Sequence, residues 1–141
     1  MLKSIAQHLR WSAPHALLSV GLLLIELLIA AFAHGWLRNF VGDVLVVVLL
    51  YCALHSFFKL PVVASAIGVF CFAVCIEIAQ FLRLPQLLGL QKGSRLGIAV
   101  GATFDWMDVL AYLLGSALII LAIRAKTFAQ PKHIKPISRI K

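Results

Sequence analysis

Four apolar runs constrain this chain more than anything else in it: Pro14–Ala33, Phe40–Phe58, Pro61–Leu82 and Phe104–Ile123. Each has about 19–22 residues, close to the ~20 that a helix needs to span the hydrocarbon core of a bilayer. Backbone polar groups in lipid must pair within the segment, so such runs predict helices. Breakers or charges bound every run: Pro14, His34-Gly35, Lys59 with Pro61, Arg83 with Pro85, and Arg124. The rest of the chain agrees. Of 141 residues, 62% are hydrophobic and 13% charged, whereas a soluble domain carries about 25% charged residues. The expected fold class is all-α, an integral membrane bundle of four transmembrane helices. Residues 1–123 form a single four-span domain, followed by a basic cytoplasmic tail over 124–141.

Two segments need separate treatment. Lys3 and Arg10 precede a Leu-rich stretch ending in Ala31-Phe32-Ala33, which is the grammar of a secretory signal peptide. Glu26 inside the run, and a length beyond the typical ~7–15 residues, argue instead for a retained span. Residues 83–103, RLPQLLGLQKGSRLGIAVGAT, are moderately apolar but broken by Pro85 and four glycines. A helix from Leu96 to Ala125 would reach about 45 Å, too long for the bilayer core. A short interfacial or re-entrant segment before the fourth span is therefore expected, since irregular backbone at that depth is tolerated where protein buries it.

The basic residues give the orientation. With four spans, Lys3, Arg10, Lys59, Arg124, Lys126, Lys132, Lys135, Arg139 and Lys141 share one side, and Arg38, Arg83, Lys92 and Arg95 the other. The positive-inside rule then puts both termini in the cytoplasm. A net charge of +8 fits anionic headgroups, and no aromatic-interleaved groove pattern suggests nucleic acid. Cys52, Cys71 and Cys75 all fall inside apolar runs and read as packing residues, with no disulfide framework. His34 and His55 are expected on opposite sides of the membrane, so no histidine cluster is expected. No metal site or cofactor motif is seen, and the G-x-x-x-x-G-K-[ST] and G-x-S-x-G frames are absent.

The five acidic residues are the informative exception to this greasy composition. Under this topology Glu26, Asp43, Glu77, Asp105 and Asp108 all lie toward the external face. Glu77 and Gln80 share a helical face, and Gly101, Asp105, Asp108, Tyr112 and Gly115 step by four and three along one stripe. A stripe of glycine, carboxylate and phenol packs against other helices better than against lipid. Intramembrane ionisable residues generally face a bundle interior and mark function. The helix macrodipole offers a plainer account of Asp43 and Asp105 as helix-start residues, but not of Glu26 or Glu77. Crowded acids repel one another, so protons or a base must compensate them. Arg95 is the nearest base in sequence and Arg83 the next. The candidate polar cluster is thus Asp43, Glu77, Gln80, Arg95, Asp105, Asp108 and Tyr112.

The segments Val41–Tyr51 (VGDVLVVVLLY), Glu77–Gln80 (EIAQ) and Ser94–Gly115 (SRLGIAVGATFDWMDVLAYLLG) resemble domain-of-unknown-function family 2809, a group of short bacterial inner-membrane proteins. A looser similarity is to VanZ-like proteins, with E-x-x-Q, a glycine-arginine loop, then D-x-x-x-N-x-x-G on a following span. Glu77, Gln80, Arg95, Asp108, Tyr112 and Gly115 occupy those places, with Tyr112 where asparagine is expected. The resemblance implies a bacterial inner membrane and a cell-envelope role, and no reaction. The reading that follows is an outward-facing polar site for a lipid-linked or glycan molecule. A membrane enzyme using paired carboxylates as acid and base, and an accessory subunit with the stripe against a partner, remain the alternatives. The lipid bilayer is the expected partner, and a second copy or another membrane protein is left open.

Overall fold

The computed structural model describes residues 11–82 and 104–129. They form four helices, α1 Ala13–Phe32, α2 Gly35–Phe57, α3 Val62–Phe81 and α4 Trp106–Ala129. All four are long and apolar enough to cross a membrane. At 1.5 Å per residue their 20 to 24 residues reach about 30–36 Å. The chain is a multi-pass, all-α membrane protein. The segment expected to be interfacial or re-entrant lies outside the described residues.

The α1–α2 connection is only Ala33 and His34, both extended, followed by Gly35 at φ +67°. That left-handed conformation suits glycine, which has no Cβ to clash. It lets the chain reverse within two residues and resume as helix. α2 therefore begins at Gly35, earlier than the apolar run at Phe40 predicts, because the polar stretch through Arg38 and Asn39 is already helical. α4 likewise continues through Arg124 and Lys126 to Ala129, so the basic tail starts as helix. At the α2–α3 turn, Pro61 precedes α3, and its carbonyl accepts from both the Ser65 backbone N–H and Ser65 Oγ, each at 2.9 Å.

The bundle is a three-helix core with a fourth helix beside it. α4 packs against both α2 and α3, while α1 packs mainly along α2. Val47, Tyr51 and Cys52 of α2, Ala66, Val69 and Ala73 of α3, and Tyr112 and Ile119 of α4 form the buried core. α1 contributes no buried residue. Its Leu17, Leu24 and Leu28 face outward, as do Phe72 of α3 and Leu113 and Leu121 of α4. Large apolar side chains outside and small or polar ones inside are the arrangement that lipid permits and water would penalise. α2 and α4 meet closely at Gly115, where an added Cβ would lie 2.7 Å from the Val44 carbonyl oxygen and 3.1 Å from Val47 Cβ. No side chain larger than hydrogen fits there without movement.

Candidate functional site

Successive helices run in opposite directions, so the end of α1, the start of α2, the end of α3 and the start of α4 share one end of the bundle. All five acids lie toward that end. Glu77, one turn before the end of α3, is 1% exposed. Its Oε1 accepts a hydrogen bond from the Tyr112 hydroxyl of α4 at 3.1 Å. Its Oε2 accepts the Asp105 backbone N–H at 3.4 Å. A carboxylate in lipid depends on such donors, because an unpaired one carries the full cost of desolvation.

Asp43 and Asp108 form the second pair. Their carboxyl groups approach each other across α2 and α4, and the charges acting on Asp43 from Asp108, Glu77 and Glu26 are all acidic. Acids crowded together in this way cannot all ionise cheaply, since like charges raise one another's cost. Because α2 begins at Gly35, Asp43 sits about two turns inside the helix and its first turn holds no acid. The macrodipole account of Asp43 as a helix-start residue is therefore incorrect. For Asp105 the same account is right: it precedes α4, and its Oδ1 accepts the Met107 N–H at 2.9 Å, which satisfies a free donor of the first turn.

Glu26 of α1 joins this end by lying over α2. Its Oε2 would be 3.5 Å from a Cβ on Gly42, and its Oε1 is buried with no hydrogen-bond partner among the described residues. Gln80 is also buried, 8% exposed, one turn beyond Glu77. Of the sequence-derived cluster, the structure brings Asp43, Glu77, Asp105, Asp108 and Tyr112 together. Arg95 and Arg83, the proposed compensating bases, lie outside the described residues. Aromatic side chains flank the same end. Trp36 stacks on Phe40 at 5.2 Å, and Phe104 meets Phe81 and Trp106 edge to face at 5.5 and 5.0 Å. Among the described residues, no group of three or more His, Cys, Asp or Glu side chains is placed to hold a metal ion.

A second polar cluster, which the sequence reading missed, occupies the opposite end of the α1–α2 pair. The rings of His15 and His55 lie 5.7 Å apart, and Tyr51 packs on His55 at 4.2 Å. Ser12 Oγ is 2.8 Å from His15 Nδ1, and Ser19 Oγ is 3.5 Å from Ser56 Oγ. The Ser12 backbone N–H donates to the Ser56 carbonyl at 2.9 Å, tying the start of α1 to the end of α2. His55 Nε2 is buried without a partner among the described residues. The signal was available: a tight turn at 33–34 makes α1 and α2 an antiparallel hairpin, which sets position 15 opposite position 55.

No curated protein matches the chain. No solved structure matches it either. Residues 32–116 match a family described as protein of unknown function, DUF2809. The match begins where α1 ends and takes in α2, α3 and the part of α4 that carries Asp108, Tyr112 and Gly115. It covers more than half of the 141 residues, and the chain belongs to the DUF2809 family.

Proposed function

We propose that the protein is a bacterial inner-membrane protein, with both termini cytoplasmic, whose outward-facing carboxylate site binds the headgroup of a lipid-linked or glycan molecule of the cell envelope. The observation carrying this reading is the convergence of Asp43, Glu77, Asp108 and Tyr112 from three helices at an aromatic-flanked end. Carboxyl groups and a phenol offer acceptors and donors to sugar hydroxyls, and indole or phenyl faces can cover the apolar face of a sugar ring. Arg95 is the compensating base in this reading. The acid-rich site disfavours phosphate and favours a neutral or cationic headgroup.

Native mass spectrometry in micelles tests this with a neutral glycosyl diacylglycerol, using phosphatidylglycerol as competitor. Wild-type protein should retain the glycolipid preferentially, and Asp43→Asn with Asp108→Asn should abolish the preference. Equal retention of both lipids by wild type would refute the reading. The close Asp43–Asp108 pair favours one second reading, a membrane enzyme. Two neighbouring carboxyl groups repel each other's ionisation and so become unequal partners, as acid and base must be. Chemical change of the retained lipid, lost in Asp108→Asn, would distinguish that from binding alone.

A further inference from the structure

Polar side chains are not confined to the two ends of this bundle. On α2, Asp43, Val47, Tyr51 and His55 recur every fourth residue and so share one face. From Asp43 to His55 that face rises about 18 Å, more than half of the ~30 Å hydrocarbon core. On α4, Asp108, Tyr112 and Ser116 repeat the same spacing beside it. Tyr51 is 5% exposed, Tyr112 7% and Ser116 6%, so these side chains lie mostly inside the bundle.

Two of the polar atoms in this series have no partner among the described residues. Ser116 Oγ and His55 Nε2 are buried and make no hydrogen bond among the described residues. Leaving a buried donor or acceptor unmade is destabilising, and alanine at 116 would avoid that cost. Buried polar atoms in an otherwise apolar core are where ordered water is held, and chains of ionisable and hydroxyl side chains inside a membrane mark proton relays.

We propose that the bundle conducts protons between the carboxylate end and the His15–His55 end by way of Tyr112, Ser116, Tyr51 and intervening water. A proton entering at the Asp43–Asp108 pair is matched by one leaving at the His15–His55 cluster. Only O–H and N–H bonds form and break, and the proton gradient supplies the driving force. Val47, fully buried between Asp43 and Tyr51, is the dry constriction of the path. The ionisable groups facing the two ends are Glu26 of α1, Glu77 of α3 and Asp105 before α4 at one, and His15 of α1 with Cys52 of α2 at the other.

The test uses the full chain in neutral-lipid vesicles with trapped pyranine, with valinomycin and a potassium gradient setting the voltage. Wild-type vesicles should acidify faster than protein-free ones. Tyr51→Phe and Ser116→Ala should each reduce the rate to the protein-free level, while lipid-facing Cys71→Ala retains it. Since lost flux can also follow misfolding, Val47→Thr supplies the opposite arm. A hydroxyl at the constriction should raise the rate, and adding Tyr51→Phe should remove the gain. A wild-type rate equal to that of empty vesicles overturns the proposal. So does flux that Tyr51→Phe and Ser116→Ala leave unchanged, or a Val47→Thr gain that survives Tyr51→Phe. Tyr51 lies away from the carboxylate end, so glycolipid retention by Tyr51→Phe keeps this proposal separable from the headgroup-binding one.

Discussion

Glu77 has almost no exposed surface, so both its oxygens depend on what α4 offers them. Removing the Tyr112 hydroxyl leaves Oε1 without its donor. Interhelical hydrogen bonds in membranes are worth about 0.6–2 kcal/mol, and full burial favours the upper end. Tyr112→Phe should therefore lower unfolding stability in detergent by about 1–2 kcal/mol. Glu77→Ala should cost more, because it also opens a cavity and strands the Asp105 N–H. The two changes together should cost less than their sum, the signature of groups in contact. A second cycle concerns charge. If Arg95 compensates the acids, Arg95→Ala should destabilise the protein and Asp43→Asn should recover part of that loss, whereas simple additivity would make Arg95 a headgroup anchor. Much of this chemistry was legible in the sequence, because an acid in an apolar run has few affordable explanations. The pairing was not. Helical spacing put Asp108 and Tyr112 on one stripe of α4, but only the packed bundle gives Tyr112 to Glu77 and Asp108 to Asp43.

The helices themselves were legible for a stricter reason. Lipid fixes the minimum length of a span and forbids unpaired backbone, so apolar runs and helices nearly coincide. The start of α2 was the exception. Gly35–Asn39 are not apolar enough to be counted, yet they are helical because a two-residue turn returns the chain directly into α2. That shift changed the meaning of Asp43, and missing the hairpin hid the His15–His55 contact. Close helix packing gives the prediction at this scale. Alanine normally gains about 0.5–1 kcal/mol over glycine inside a helix. Gly68→Ala should show that gain, since its Cβ would meet nothing within 4 Å. Gly115→Ala should instead destabilise by about 1–3 kcal/mol, because its Cβ would press on a backbone carbonyl that cannot rotate away. Thermal unfolding of both variants in one detergent provides the comparison.

At the scale of the whole molecule, the core belongs to α2, α3 and α4, and the family match covers α2, α3 and the first part of α4. A fragment spanning residues 35–129, refolded in micelles, should keep its helicity and its Glu77–Tyr112 coupling. Loss of both would mean that α1 is required for the core. Orientation has its own measurement. In a cysteine-free background, Lys92→Cys should react with a membrane-impermeant thiol reagent in intact cells and Lys141→Cys should not, as the positive-inside rule requires. The reverse pattern would move the carboxylate end to the cytoplasm.

The two-residue turn between α1 and α2 also bears on biosynthesis. Helices joined so tightly have no room to enter the bilayer far apart in time, so insertion as one hairpin is the expected route. Glu26 lies over Gly42, next to Asp43, so under the proposed orientation, with both termini cytoplasmic, the costliest side chains of both spans would cross the membrane beside each other. The toll of carrying acid through hydrocarbon is then met in a single passage.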